Sequence, residues 1–420
     1  MLIRAAFAAG LALATGLLFT TAGRRALARP DAYFTLRLLF AGSRLLGWFV
    51  AYVVLADFTR YTDLVLYYYP EATLAMGGQL PYIDFPTSYG PLFPYVAGLL
   101  LPIWHSPAAV ALVLVLVEIA AVLSFAAAVK HDTNAPAPAA NWLLAIYSLN
   151  PAALYWSGMM AYNSSLILLC WAVASRLVVH SRYSLSTVWL TVSVVAGKFL
   201  GVIVAPLWLA HPARRFAVIA GTAAAALAAW LLARGFGVDL ALPLLREGNR
   251  STAGNLWFLL GAVWPLSTDG ALWRFGPPVA LAGGAMGLTA WLARAWRDAP
   301  HLRQFSAAVS ALGWLFLLLS KKSYPHYAPM FLLLSVAALC DGRAGTARSA
   351  LVMVIVGAAG LVEPGLWNAL GQPQLLRFAG SDPGAVLPLV IADTVLVGGA
   401  IALALASARA AVVRHQGDLR

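Results

Sequence analysis

The chain has 420 residues, of which 61% are hydrophobic and 10% charged, whereas about 25% of an ordinary soluble domain is charged. This composition excludes a soluble globular protein and indicates a polytopic membrane protein. The net charge of +12 comes from basic residues dispersed between apolar runs, without a basic stripe or a reader motif, which excludes nucleic acid as a partner. Cys170 and Cys340 lie inside apolar runs, so no disulfide framework is indicated.

The N-terminal apolar run, 5–22, is either a signal peptide or an extra helix whose N-terminus lies outside. Cleavage would leave Arg24 and Arg25 on the outer face, against the positive-inside bias, and we therefore predict the extra helix. The next run, 38–56, then crosses outward. It places the loop 57–95 on the non-cytoplasmic side of the membrane.

The later apolar runs complete one membrane domain. The run 91–104 is short and flanked by prolines, which predicts a helix that dips into the membrane, and 107–129 returns to the cytoplasm. Several later runs are shorter than the ~20 residues of a perpendicular span and are expected to be broken, tilted or interfacial. The prediction is a single all-α domain over 1–420 with about 12–13 transmembrane helices. The remaining predicted spans are 141–156, 162–179, 184–197, 199–210, 216–234, 276–296, 304–320, 324–341, 349–366 and 385–408.

The loop 57–95 is rich in tyrosine and proline and carries acids, a composition that belongs in water at a membrane surface. Asp63 follows the span closely, so its carboxylate should lie within about two helical turns of the bilayer interface, at roughly 1.5 Å per residue. A water-soluble group can meet a lipid-borne group there. Asp84, between Pro81 and Pro86, either contacts a substrate or cation or fixes the turn.

Lysines at the outer ends of apolar runs are exceptions to the charge bias. Lys321 and Lys322 precede Tyr324 and His326, and the two lysines either bind an anion, for which phosphate is the natural candidate, or extend to lipid headgroups. Lys198 lies in a long apolar stretch, where an ionised lysine costs roughly 2.5–3.5 kcal/mol without a partner or water. We therefore expect Lys198 to face a cavity.

Four further polar residues are functional candidates, and three of them also have a structural interpretation. Arg250 either joins a phosphate-binding set or is a solvated loop residue. Glu118 and Asp393 are acids within predicted spans and hence functional candidates, but each could equally be paired inside the bundle. Asn163, just after an outer turn, can hydrogen-bond sugar hydroxyls but cannot act as a base.

Six stretches, taken in order, give the chain a family resemblance. They are the Asp-Leu-x-x-Tyr start at Asp63, Gly78-Gln79-Leu80-Pro81-Tyr82-Ile83-Asp84-Phe85, Tyr89-Gly90-Pro91-Leu92-Phe93, Asn150-Pro151, Lys198 to Pro206, and Lys321 to Pro329. On these residues the chain resembles the GT-C glycosyltransferases that use polyprenyl-phosphate sugars, and within them the family-87-like mannosyl and arabinofuranosyl enzymes of bacteria. Two positions depart from the pattern: the usual double proline after tyrosine is Gly90-Pro91, and an acid often found near the second outer turn is Asn163.

The resemblance implies a GT-C-like helical bundle in the plasma membrane with a large first outer loop that is catalytic. It implies transfer of a sugar, mannose or arabinofuranose, from a polyprenyl-phosphate donor to a hydroxyl of a glycan or glycolipid acceptor at the non-cytoplasmic face. Asp63 is expected to act as general base in a single inverting displacement. The expected donor-phosphate set is Lys198, Lys321, Lys322, His326, Arg250 and Tyr324, and the expected substrate-binding set is Asp84, Tyr67, Tyr82, Tyr89 and Asn163.

No cofactor or metal is required by this chemistry, since cationic side chains can offset the charge of the leaving phosphate. A divalent cation shared by Asp63 and Asp84 stays open. The alternative from another class is a transporter or lipid flippase, in which Lys198, Glu118 and Asp393 form a charged path. Inverted repeats would favour the transporter, and the sequence shows none.

Overall fold

The computed structural model contains α-helices and no β-strand among the residues it describes, which confirms the prediction of an all-α polytopic membrane protein. The described residues are 2–132, 135–197, 203–204, 207–210, 223, 227, 234, 251–264, 270–296, 300–342, 345–373 and 383–413.

Most helices coincide with apolar runs of the sequence, but the predicted helix 91–104 is only Phe93–Ala97, the predicted span 141–156 is interrupted after Leu149, and the predicted loop 57–95 contains the helix Tyr69–Met76. Their bounds in chain order are α1 (Leu2–Leu18), α2 (Thr21–Leu27), α3 (Ala32–Phe49), α4 (Tyr69–Met76), α5 (Phe93–Ala97), α6 (Pro107–His131), α7 (Ala139–Leu149), α8 (Ser164–Val179), α9 (Tyr183–Ala196), α10 (Leu207–Ala210), α11 (Leu256–Val263), α12 (Ala271–Ala295), α13 (Leu302–Leu319), α14 (Ala328–Leu339), α15 (Thr346–Ala369) and α16 (Pro383–Val412).

Five segments of the described chain are long and apolar enough to cross a membrane by length and composition. They are Ala32–Val54, Pro107–His131, Leu302–Leu319, Thr346–Ala369 and Val386–Val412. Two further pairs of helices, each bent at a short break, bring the number to seven if each pair is one span. The larger total of about 12–13 stays a prediction, because most of 198–250 lies outside the described residues.

The first bent pair covers the predicted extra helix 5–22, but the chain forms two helices there instead of one. Ile3–Leu18 and Thr21–Leu27 meet at 78°, and Thr20 caps the second helix by accepting a hydrogen bond from the Gly23 N–H at 3.1 Å. α1 packs along α15 and α7, with Ala8 and Thr15 buried. This packing brings the start of α1 to the cavity described below.

The second bent pair begins at the Asn150-Pro151 motif. The Asn150 side chain accepts hydrogen bonds from the N–H groups of Ala152 and Ala153 at 3.0 and 3.2 Å, and it donates to the Met353 carbonyl at 3.0 Å. Asn150 therefore caps the helical turn that begins at Pro151 and continues into the π-helix Ala153–Met159, and it ties this segment to α15. The π-helix meets α8 at 106°.

The loop 57–95 is folded onto the bundle. Asp63 precedes the π-helix Leu64–Tyr68, which continues into α4 with Pro70 in its first turn. The ring of Tyr68 lies 5.0 Å from those of both Tyr89 and Phe93. These edge-on aromatic contacts pack the two ends of the loop together.

A buried serine network fixes the helices on either side of the 320–327 turn. Ser310 on α13 shares hydrogen bonds with Ser335 on α14, at 2.6 Å, and with Ser407 on α16, at 3.0 Å. Trp314 donates its indole N–H to Ser335 at 2.8 Å. In an apolar surrounding such hydrogen bonds between helices favour one packing arrangement.

Candidate functional site

A cavity of about 750 Å³ lies where parts of the chain that are distant in sequence meet. It is lined by the first loop, the bent segment 155–162, the turns at 252–253 and 322–326, the start of α1 and the end of α15. Its lining residues are Arg4, Tyr61, Thr62, Asp63, Tyr67, Glu71, Ser88, Tyr89, Tyr155, Trp156, Met160, Tyr162, Thr252, Ala253, Lys322, Tyr324, Pro325, His326, Glu363, Pro364, Trp367, Asn368 and Gln372.

Asp63, the predicted base, lines this cavity at the N-terminus of the π-helix Leu64–Tyr68 and is half-buried. Tyr89 stands at the same wall. Burial first, and then the charges of Asp63 and Glu71, hold the pKa of the Tyr89 phenol well above its ordinary value. Tyr89 is therefore a hydroxyl donor at neutral pH, beside a carboxylate that can accept a proton.

Glu71 is a second carboxylate of the cavity wall. Its Oε2 accepts a hydrogen bond from the Thr87 hydroxyl at 2.7 Å, and that hydroxyl accepts one from the Tyr89 N–H at 3.1 Å. Tyr82 donates its hydroxyl to the Tyr89 carbonyl and does not line the cavity. The polar groups of the loop thus hold Tyr89 in place, and Tyr82 has a supporting position.

Asp84 lies away from the cavity and is exposed. Its Oδ2 accepts a hydrogen bond from the Leu80 N–H at 2.7 Å, and the Tyr82 N–H donates to the Phe85 carbonyl at 2.9 Å. Of the two interpretations left open by the sequence, the structure places Asp84 as the residue that fixes the turn.

His326 is held in a stack of aromatic rings. Its imidazole lies 4.2 Å from the ring of Tyr162 and 4.8 Å from that of Tyr324, stacked against both, and Tyr327 meets its edge at 4.5 Å. The predicted pair Tyr324 and His326 therefore reaches the cavity together with Tyr162, which the sequence analysis did not select. The stack fixes the direction of the imidazole.

Lys322 lines the cavity, and its ammonium lies 5.6 Å from the centre of the Tyr324 ring. Its turn is bound to the 251–255 turn, since the Ser323 N–H donates to the Thr252 hydroxyl at 2.9 Å and the Thr252 N–H donates to the Lys321 carbonyl at 3.0 Å. Lys321 does not line the cavity; burial and the nearby Arg274 charge lower the pKa of its ammonium. The lysine pair is thus divided between two environments.

Lys198 and Arg250 lie outside the described residues. The described chain next to Lys198 touches the first loop, because the Gly90 N–H donates to the Gly197 carbonyl at 2.8 Å. Asn163 is fully buried beside the cavity wall, and neither its amide nitrogen nor its amide oxygen has a hydrogen-bond partner among the described residues.

Glu118 and Asp393, the two acids that the sequence places within predicted spans, do not line the cavity. Glu118 forms a fully buried ion pair with Arg44, at 3.3 Å between Oε1 and Nε, and accepts a hydrogen bond from the Tyr147 hydroxyl at 3.3 Å. Asp393 accepts a hydrogen bond from the Gly254 N–H at 3.0 Å. Gly254 has φ of +81°, a conformation that glycine adopts readily, and the contact anchors the turn that carries Thr252.

Sequence analysis missed Arg4, Glu71 and Glu363. Glu363 carried a usable signal, since it is an acid inside the predicted span 349–366 and follows the rule that selected Glu118. Arg4 directly precedes the apolar run 5–22, and no sequence pattern indicates a role for it. In the structure its guanidinium carbon lies 5.1 Å from the centre of the Tyr155 ring, a cation–π contact at the cavity wall.

Among the described residues, no group of three or more His, Cys, Asp or Glu side chains is arranged to hold a metal ion. Comparison of the chain with protein families, with curated proteins and with solved structures found no match.

Proposed function

We propose that the protein is a membrane glycosyltransferase of the GT-C type. It moves a sugar, mannose or arabinofuranose, from a polyprenyl-phosphate donor to a hydroxyl of a glycan or glycolipid acceptor at the non-cytoplasmic face of the plasma membrane. The observation that carries the proposal is the meeting of Asp63 with Lys322 and His326 in one cavity of about 750 Å³. A carboxylate, an ammonium group and an imidazole in one cavity suit a reaction that removes a proton and releases a phosphate.

The position of these residues along the chain fits a lipid-borne donor. Asp63 follows the span Ala32–Val54, Lys322 follows the span Leu302–Leu319, and His326 stands at the start of the apolar helix Pro325–Leu339. Each is close to the end of an apolar helix, where a bilayer meets water. A prenyl chain in the membrane would present its phosphate at this level.

The proposed step balances without a co-reactant. The acceptor oxygen attacks the anomeric carbon from the face opposite the phosphate, its proton passes to Asp63, and the bond between the anomeric carbon and the phosphate oxygen breaks. Polyprenyl phosphate leaves with the electron pair. Lys322 and His326 stabilise the charge that develops on the phosphate in a partly enclosed site, where such interactions are stronger than in water. Inversion follows from a single displacement.

The aromatic residues of the cavity lining are suited to bind the sugar. Tyr67, Tyr89, Tyr155 and Trp156 line the cavity, and a sugar presents both hydroxyls and an apolar face of C–H groups. The phenols supply hydrogen bonds and the rings supply packing surface. Trp156 is oriented by its indole N–H, which donates to the Gly360 carbonyl at 3.1 Å.

The test is a transfer assay with purified protein, a polyprenyl-phosphate-linked mannose or arabinofuranose, and a glycan acceptor. Asp63→Asn keeps the shape of the side chain but cannot accept the proton, so turnover should fall by about 10²–10⁴-fold while donor binding persists. The matched control is Asp57→Asn, because Asp57 is an exposed acid of the same loop outside the cavity lining.

Near-wild-type turnover of folded Asp63→Asn would remove the assignment of the base. Movement of the intact lipid-linked sugar across the bilayer, with no transfer to any acceptor, would instead establish the flippase. Of the three residues of the alternative charged path, Glu118 is paired with Arg44, which argues against its part in such a path, and Lys198 lies outside the described residues.

A further inference from the structure

The end of α15 presents a polar wall to the cavity that the reaction above does not use. Glu363, Pro364, Trp367 and Asn368 line the cavity, and Gln372 follows in the turn after the helix. Residues four apart in a helix lie one above the other, so Glu363 and Trp367 share one face, as do Pro364 and Asn368.

Glu363 is the residue of this wall that has a buried oxygen without a hydrogen-bond partner among the described residues. Its exposed fraction is 1%, and its Oε1 has no hydrogen-bond partner among the described residues although the side chain lines the cavity. Buried polar atoms in folded proteins are nearly always hydrogen-bonded. A donor brought by a bound molecule would satisfy this oxygen.

Trp367 and the two amides have a fixed arrangement. The Trp367 indole N–H donates to the Pro373 carbonyl at 3.0 Å, and the Gln372 amide nitrogen donates to the Asn368 amide oxygen at 2.6 Å. That bond leaves the Asn368 –NH2 as a donor and the Gln372 carbonyl oxygen as an acceptor at the rim. A half-buried indole thus lies beside a neutral donor and a neutral acceptor.

We infer that this wall, formed by Glu363, Trp367, Asn368 and Gln372, is the acceptor subsite and that the group it takes is a saccharide. The inference rests on the proposed function. Neighbouring sugar hydroxyls both donate and accept, which matches one carboxylate and one amide pair, and the C–H face of a sugar packs on an indole. A cationic ligand is disfavoured, because Arg4 stands at the same wall, with its Nη1 3.5 Å from the Leu361 carbonyl. An aliphatic alcohol would make no hydrogen bond to the Asn368 –NH2 or to the Gln372 carbonyl oxygen, the two amide groups that their mutual bond leaves available.

The test measures saccharide binding without any donor. The full chain in detergent micelles is titrated with methyl α-mannopyranoside and methyl α-arabinofuranoside, and binding is followed by saturation-transfer NMR. Trp367→Leu and Glu363→Met, which removes both acceptor oxygens, should each weaken binding of the preferred saccharide by about three- to tenfold, the range for loss of one hydrogen bond or one packed aromatic ring. Asn368→Ala, at an exposed position where folding is not at stake, should weaken it several-fold.

The matched control is Trp291→Leu, since Trp291 is an exposed tryptophan on α12 that does not line the cavity, and its variant should bind the saccharide like the wild type. Absence of saccharide binding to the wild type, or unchanged binding in folded Trp367→Leu and Asn368→Ala, overturns the inference.

Transfer kinetics separate this inference from the proposed function. In Trp367→Leu the KM for the acceptor should rise about three- to tenfold while the KM for the donor stays unchanged. A chain that binds saccharides through Trp367 but transfers no sugar would refute the proposed function and keep this site as a saccharide site. A chain that transfers sugar, but whose Trp367→Leu variant keeps the wild-type KM for the acceptor, would support the proposed function and refute this acceptor subsite.

Discussion

Two regions of the molecule each hold an arginine and a glutamate that are carried on apolar helices. They are Arg44 with Glu118 inside the bundle, and Arg4 with Glu363 in the lining of the cavity. The first pair is fully buried, with 3.3 Å between Nε and Oε1 and the Tyr147 hydroxyl as a further donor. The second pair stands at the wall of a cavity of about 750 Å³, where Glu363 keeps an oxygen without a partner among the described residues. The first two charges form an ion pair, although Arg44 Nη2 and Glu118 Oε2 have no hydrogen-bond partner among the described residues, whereas the second two border a cavity that a ligand can enter.

This difference shows how an intramembrane charge is to be interpreted. Charged residues in apolar helices are functional candidates by default. Glu118 is paired with Arg44 of a neighbouring helix, α3, whereas Glu363 lines the cavity, where we propose that it binds a ligand. Both glutamates are almost completely buried, so the ion-pair partner and the access to a cavity distinguish them, and neither burial nor the identity of the residue does.

The largest effect should come from breaking the buried pair. Arg44→Met leaves the Glu118 carboxylate uncompensated, and the free energy of unfolding in detergent micelles should fall by about 3–5 kcal/mol. Arg37→Met is the control, because Arg37 is exposed on the same helix. Any Arg44→Met protein that remains folded should transfer sugar at the wild-type rate, since Arg44 does not line the cavity. Unchanged stability would show that the ion pair is dispensable.

A double replacement sharpens the same comparison. Arg44→Met combined with Glu118→Leu removes both charges, and most of the stability lost in the single variant should return, because the desolvation cost of both ions disappears. A double variant less stable than either single one would show that the hydrogen bonds of the cluster matter more than its charges.

The next largest effect concerns the two adjacent lysines. Lys322→Ala should weaken binding of the polyprenyl-phosphate donor by about 1.5–3 kcal/mol, the range for a hydrogen bond to a charged group. Lys321→Ala should change donor binding by less than about 0.5 kcal/mol, as is usual for surface substitutions. The sequence placed both in one phosphate subsite, and the cavity receives only Lys322 of the pair. Equal losses in the two variants would restore the subsite as first predicted.

The smallest effect should come from Asp84. Asp84→Ala removes the hydrogen bond from the Leu80 N–H and should lower stability by about 0.5–1.5 kcal/mol, with transfer nearly unchanged. Asp84→Asn retains an oxygen that accepts from the same N–H, so its stability should lie closer to the wild type. A loss of transfer in Asp84→Asn as large as in Asp63→Asn would return Asp84 to the active site.

The sequence by itself determined the helices and the membrane character. The runs 107–129 and 304–320 became Pro107–His131 and Leu302–Leu319, because the length of an apolar run sets the length of the helix that crosses a bilayer. It also selected Asp63, Lys322 and His326, since each is a polar group at the end of an apolar run. These are local properties, and they can be read from consecutive residues.

Only the tertiary structure decided which polar groups share a site. Asp63 and Asp84 belong to the same loop and look alike in sequence, yet one lines the cavity and the other holds a backbone N–H. Arg4 and Glu363 both line the cavity because α1 packs along α15. Helical periodicity fixes the face on which a residue lies, but the partner of that face depends on how distant helices pack.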